Sequence, residues 1–282
     1  MNILLTGADG FTGRILTRMA EGSGHKVYAV QADLRDVSAL NAEIASRHVD
    51  AVLHLAGISF VGHGDETAFY SVNVLGTMNL LSALATLPDV PKCVLLASSA
   101  NIYGNCAASP IDELQAIAPV NHYAMSKVTM EKVARLFSDR LPVVIARPFN
   151  YTGQGQALQF LIPKLVDHFK RRAPSVELGN LNVEREFNDV RMVCAAYLAL
   201  LEKGQVGEVY NVCTGNSYSL TSVVEALQSL TGHLLDIRDN PEFVREGEVH
   251  KLCGNPSKLL ATVGQLKQYS LLQTLSWMLE TP

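Results

Sequence analysis

Six short stretches of the chain are almost continuously apolar, and the segments between them carry apolar positions at helical spacing. The stretches are NILLTG (2–7), KVYAV (26–30), DAVLHLAG (50–57), KCVLLASS (92–99), LPVVIARP (141–148) and GEVYNVCTG (207–215). Runs without polar alternation are what strands buried on both faces look like. The intervening DVSALNAEIASRH, ETAFYSVNVLGTMNLLSALATL and NHYAMSKVTMEKVARLFSD read as amphipathic helices. Strand–helix alternation of this kind predicts a doubly wound α/β domain with a parallel, Rossmann-like sheet.

Past residue 150 the alternation loosens, and glycine and proline punctuate the chain at 153, 155, 163, 174 and 179 and again at 247, 254 and 256. This predicts a smaller mixed α/β lobe from about 151–190 and 216–282. The sheet domain then takes 1–150 and about 191–215. A ligand cleft is expected between the two, at the carboxyl ends of the strands.

Bulk composition narrows the classes. The 282 residues are 48% apolar and 18% charged with net charge −4, which fits a globular enzyme and offers no basic surface for nucleic acid. No apolar run approaches the roughly 20 residues of a membrane span. The five cysteines are scattered and lack a C-x-x-C pair, so neither a metal cage nor a disulfide framework is indicated. The opening MNILLTGADG is already strand and turn, and a cytoplasmic location is expected.

Two motifs carry chemistry. Gly7, Gly10 and Gly13 form G-x-x-G-x-x-G directly after the first strand. Such a turn brings backbone close to a pyrophosphate, and the helix beginning near Thr12 aims its N–H groups at it. Three glycines alone are a weak signal, and their place at the first strand–helix junction strengthens the dinucleotide reading. YAMSK puts Tyr123 and Lys127 four apart on one helix face. A phenol is a poor acid until something lowers its pKa, and a neighbouring ammonium does so. The pair suits interconversion of carbonyl and alcohol. Ser98 and Ser99 end the fourth strand, where a hydroxyl can orient a substrate oxygen. His54, at a strand end, reads as structural, and neither His63 nor His122 has the spacing of a metal ligand.

With TGADGFTG, HLAG, NVLGT, SSANIYG, YAMSK and RPFN in place, the chain resembles the extended short-chain dehydrogenase/reductases over nearly its whole length. That resemblance implies a catalytic Ser99, Tyr123 and Lys127 and a nicotinamide cofactor. It implies cofactor contacts from Gly7, Gly10, Phe11, Thr12, Gly13, Arg14, Gln31, Asp33, Leu34, Arg35, Leu55, Ala56, Gly57 and Asn73, besides Tyr123 and Lys127. Dehydratases of the family carry an acid after the active-site hydroxyl, where this chain has Ala100 and Asn101. RPFNYTGQGQ, LGNLNVEREFNDVR, YNVCTG and REGEVHK are similar to the GDP-4-keto-6-deoxy-D-mannose reductases. By that likeness Asn150, Arg185, Arg245 and Glu248, with Ser59, Ser99 and Asn101, hold a GDP-linked keto-sugar. The chain departs from that group at REGE, where Arg-Pro-x-Glu is usual, and at EFNDVRM.

The resemblance implies reduction at C4, giving a GDP-6-deoxyhexose. A nucleotide-sugar 4-epimerase with tightly bound NAD is the alternative, and a non-catalytic NAD(P) sensor a further one. Helices near 66–87 and 121–138 imply a homodimer. In VYAVQADLRD, Gln31 stands where the family reads the adenosine ribose, and the adenine loop follows at once. The reading is that one edge strand has been cut out, with Asp33 serving adenine. No acid then guards the ribose, and Arg14 and Arg35 lie near, so NADP(H) is favoured over NAD(H). The competing reading makes Asp33 the ribose acid at the offset usual for NAD.

Overall fold

The structure, a computed structural model, describes residues 1–179, 183–243 and 249–280. Each apolar stretch forms a strand. In the first half these are β1 (Asn2–Thr6), β2 (Lys26–Ala29), β3 (Ala51–His54), β4 (Cys93–Ala97) and β5 (Val143–Pro148). Between them come α1 (Phe11–Gly22), α2 (Val37–Ala45), α3 (Glu66–Tyr70), α4 (Thr77–Leu84) and α5 (His122–Arg135). A π-helical turn, Ser71–Gly76, joins α3 to α4, so the long helix expected over 66–87 is one rod with a bulge in it. Helix starts are set by side-chain caps: Asp36 accepts from Ala39 N–H and Asn121 from Ala124 N–H. The second cap fixes where Tyr123 and Lys127 point.

The second half adds β6 (Tyr151–Thr152), α6 (Leu161–Lys170), β7 (Ser175–Leu178), β8 (Glu184–Glu186), β9 (Asn188–Asp189), α7 (Val190–Lys203) and β10 (Val209–Val212). It closes with β11 (Ser217–Ser219), α8 (Leu220–Thr231), β12 (Asp236–Asp239), β13 (Lys251–Leu252), α9 (Ser257–Val263) and α10 (Leu271–Leu279). The main sheet has the order β10-β5-β4-β3-β1-β2, with every pairing parallel. The late strand at 207–215 thus returns to the sheet beside β5, as the sequence predicts.

Alternate residues of each strand enter opposite cores, as a pleated strand requires. Ile3, Leu5, Leu53, Leu95 and Val144 face α1, α7 and α9, while Leu4, Val52, Val94, Leu96 and Ile145 face α2, α4 and α5. β2 is the sheet's edge, and the chain leaves it straight into the Asp33 loop and α2. The further edge strand of the ordinary layout is absent at this point, as the reading of VYAVQADLRD expects.

A third core, with Leu165, Phe169, Leu178, Val223, Leu227 and Leu275, holds the smaller lobe together. The tail does not all belong to it. Leu259 and Val263 of α9 pack into the sheet core with α7, so residues 257–263 return to the first domain.

Candidate active site

Strand order reverses between β1 and β3, and the cleft opens at their carboxyl ends. It has a volume of about 440 Å³. Its lining joins the glycine turn, the loop after β3, the end of β4, α5 and the segment after β5. Gly7 has φ +72°, and a Cβ there would stand 2.7 Å from Ala56 N. At Gly13 a Cβ would lie 2.2 Å from Gly7 O. No side chain fits either place, so the turn can lie close against both β3 and a bound phosphate. Phe11, Thr12 and Gly10 complete this wall.

Arg14 also lines the cleft, but its guanidinium donates to Asp9 O at 2.6 Å and Gly155 O at 3.1 Å, tying the turn to the β6–α6 loop. Leu55, Gly57 and Ser59 line it from the loop after β3, while the Ala56 N–H donates to Thr6 Oγ. Asn73 sits behind that loop. Its amide accepts from Ile58 N–H at 2.8 Å and donates to Ile58 O and Ser126 Oγ. It therefore shapes the cofactor wall from outside the cleft, and does so through its side chain rather than the helix backbone. His54 bridges Thr6 and Thr77, and burial holds its pKa down near about 3, which fits a neutral structural ring.

At the reaction end, Ser99 begins the short turn Ala100–Tyr103, and its hydroxyl accepts from the Asn101 backbone and side-chain N–H groups. It also hydrogen-bonds the Tyr123 phenol. Ser98 Oγ donates instead to Glu131 at 2.6 Å. Burial pushes the Tyr123 pKa up, and the Ser99 contact offsets this only in part. Lys127 points its ammonium at Ala97 O, 2.8 Å away, and burial lowers its pKa to about 8 against the pull of Glu131. No lowering of the phenol by Lys127 accompanies these shifts, and burial sets the direction of both groups. Burial favours the neutral phenol, which keeps Tyr123 an acid.

Below the cleft lies a buried ion pair, absent from the sequence reading. Arg147 donates to Glu131 through Nε at 2.9 Å and Nη2 at 2.6 Å, and to Tyr103 Oη at 2.9 Å; Tyr103 donates on to Asn211. The network fastens α5 to the ends of β5 and β10. Other cleft residues missed from sequence are Tyr151, Phe160, Tyr197 and Leu252. Tyr151 was one position from a marked residue, whereas Tyr197 lies in an apolar helix stripe that reads as core.

The remaining expected contacts divide. Asn101 and Asn150 line the cleft. Arg185 does not; it lies on β8, and its register neighbour on β13, Leu252, takes the lining position. Arg245 and Glu248 lie outside the described residues. Gln31, Asp33, Leu34 and Arg35 stand apart from the main cleft, past the end of β2. Leu34 is buried against Gly76, and its carbonyl accepts from Asn79. Arg35 pairs with Asp33 at 2.6 Å, which pulls the Asp33 pKa to about 2. Glu43 of α2 accepts from Gln31 N–H and Ala32 N–H, bringing to this corner a carboxylate that the sequence gave no reason to place there.

Comparison with known proteins fits this geometry. The model of the NAD dependent epimerase/dehydratase family matches residues 3–213. The chain belongs to that family. Within it, the chain is 34% identical to a GDP-6-deoxy-D-talose 4-dehydrogenase of Aggregatibacter actinomycetemcomitans, over 94% of this chain and 92% of the relative. It is 32% identical to a GDP-6-deoxy-D-mannose reductase of Pseudomonas aeruginosa, over 97% and 94%. The solved structure of RMD from Pseudomonas aeruginosa complexed with NADPH superposes with a TM-score of 0.90 at 31% identity, covering 99% and 96%. The resemblance to extended short-chain dehydrogenase/reductases therefore holds, and the chain is an NAD(P)-dependent enzyme of that type.

Two features of the cleft fit a nicotinamide dinucleotide. The glycine wall is open to phosphates at a helix start, and Asn150, in the segment after β5, buries an Oδ1 with no hydrogen-bond partner.

Proposed function

We propose that the chain reduces the C4 ketone of a GDP-linked 4-keto-6-deoxyhexose, GDP-4-keto-6-deoxy-D-mannose above all, to a GDP-6-deoxyhexose. The carrying observation is the cleft lining: Ser99, Tyr123 and Lys127 are present, and among the described residues no Asp or Glu is. Elimination of water needs a carboxylate to trade protons, whereas carbonyl reduction needs a phenol. The two relatives' names, both GDP-6-deoxyhexose enzymes, support the nucleotide and the sugar.

Bound nicotinamide supplies the hydride. Ser99 donates to the C4 oxygen and fixes the carbonyl's direction. Tyr123, kept protonated by burial, delivers its proton to that oxygen as the alcohol forms. Lys127, anchored on Ala97 O, places positive charge beside the phenolate left behind. Asn101 holds Ser99 in place from the neighbouring turn.

The end of β2 bears on cofactor choice. The sequence favours NADP(H) because Gln31 rather than an acid stands at the ribose position, but Arg35 is engaged by Asp33 and Glu43 adds a carboxylate at Gln31. Both features oppose a 2′-phosphate, and this corner favours NAD(H), or use of both cofactors. We also infer a homodimer through the outer faces of the α3–α4 rod and α5. Leu75, Met78, Met125 and Leu136 are exposed there, Leu136 to 77%. No described helix is long and apolar enough to cross a membrane.

The test is the loss of reduced-nicotinamide absorbance when the protein meets GDP-4-keto-6-deoxy-D-mannose with NADPH or NADH. Turnover supports the proposal, and the ratio of the two rates reads the β2 corner. No turnover with either cofactor, together with NAD that stays bound through gel filtration, replaces it with the 4-epimerase reading.

A further inference from the structure

Among the described residues, three buried side-chain polar atoms have no hydrogen-bond partner: Thr17 Oγ, Asn150 Oδ1 and Tyr197 Oη. Two of these residues, Asn150 and Tyr197, line the same cleft. Asn150 belongs to the expected site. Tyr197 does not; it rises from α7, a helix of the sheet core, and is 1% exposed. A buried hydroxyl without a partner is rare, because leaving one unmet costs about 1–3 kcal/mol. A phenylalanine in that place would fill the same core without the penalty. The hydroxyl is therefore explained by something that enters the cleft.

Its position says which part of a ligand. Tyr197 lines the cleft together with Pro148 and Tyr151 of the segment after β5. Tyr151 Oη is engaged with Thr12 Oγ at 2.9 Å, and Cys194, one turn before Tyr197, directs its thiol to Thr12 O. The helix α7 packs on β3, β4, β5 and β6, beneath the strand ends from which Ser99, Pro148 and Tyr151 reach the cleft. The free hydroxyl thus stands at the reaction end of the cleft, not at the β2 corner where Gln31 and Asp33 lie.

We infer that Tyr197 is a cofactor-binding residue whose hydroxyl hydrogen-bonds the nicotinamide end of the dinucleotide. The carboxamide there offers both a donor and an acceptor to a phenol. This rests on the reading of the cleft as a nicotinamide site. It adds a contact from the core helix to those made by the turn and by Tyr123 and Lys127.

Tyr197→Phe tests it in the full chain, by thermal midpoint without ligand and by titration with NADH, NADPH and ADP-ribose, which lacks nicotinamide. The expected result has three parts. The ligand-free midpoint is equal to or above wild type, affinity for the reduced dinucleotides falls about fivefold, and affinity for ADP-ribose is unchanged. A lower ligand-free midpoint with unaltered dinucleotide affinity overturns the inference, since the hydroxyl would then serve the fold alone. An equal loss for ADP-ribose also overturns it, by moving the contact away from nicotinamide. Wild-type protein that binds none of the three would instead sink the nicotinamide reading of the cleft itself, a distinct outcome.

Discussion

Replacing Lys127 with methionine removes the site's ammonium while nearly keeping its length and volume. Lys127 is 6% exposed, and burial takes its pKa from 10.5 to about 8. At about 1.4 kcal/mol per pH unit, the folded chain below pH 8 carries this charge at a loss of about 3 kcal/mol. Between these two values the unfolded chain still holds a proton that the folded chain has released, so stability from this site rises with pH. The methionine variant has no such gain. Urea unfolding of both proteins at pH 7 and pH 10 measures it. The stability of the variant relative to wild type falls by about 2–3 kcal/mol between the two.

The Ala97 carbonyl, left without its donor, sets a pH-independent offset of about 1–3 kcal/mol against the variant. Titration of other groups, such as the buried Tyr103 phenol, is common to both proteins and cancels in the difference. Parallel profiles would refute the reasoning, because they would mean that the folded chain compensates the ammonium fully. The variant also loses reductase turnover, so one substitution separates the residue's contribution to the fold from its contribution to the chemistry.

Tyr123→Phe lowers kcat about 10²–10⁴-fold with cofactor affinity retained, read by steady-state rates beside a binding titration. Glu43→Gln raises the NADPH-to-NADH ratio of kcat/KM about fivefold, as loss of one carboxylate near a 2′-phosphate would. Glu131→Gln leaves Arg147 buried without its ion partner and lowers stability by about 3–5 kcal/mol in urea. Met125→Glu combined with Leu75→Glu gives a monomer by light scattering at micromolar concentration, where wild type is dimeric.

The sheet was legible because its strands are buried on both faces, and unbroken apolar runs such as NILLT admit little else. Tyr123, Lys127 and the glycine turn were legible because their spacing is itself the chemistry: four residues place two side chains on one helix face. The β2 corner was legible as topology and not as electrostatics. That one strand is missing follows from the short distance between VYAV and Asp33, but Glu43 reaches Gln31 only after α2 folds back on the sheet edge. Arg185 shows the opposite failure. A motif carried it to the cleft, and β8 sets it one strand away. Glu186 beside it, a glutamate where the family pattern has aspartate, accepts from Thr214, Gly215 and Gly254 N–H groups and knits β8 to the loops around it. No local pattern reports such a role, because its partners lie 28 to 68 residues away.

The charges under the cleft explain why the site is built from groups that strain the fold. Glu131 is the one carboxylate packed between Arg147, which it pairs, and Lys127, which it influences from one helix turn away. Ser98 also donates to it, so its negative charge is shared among three neighbours. With Tyr123 neutral, two cations face one anion, and burial depresses Lys127 against the pull of Glu131. As Tyr123 gives up its proton during reduction, the phenolate becomes the second anion and the local charges balance. The same buried ammonium that opposes folding at neutral pH thus favours the moment of proton transfer. Lys127→Met should therefore relieve the first effect and abolish the second together, which a residue serving packing alone would not do.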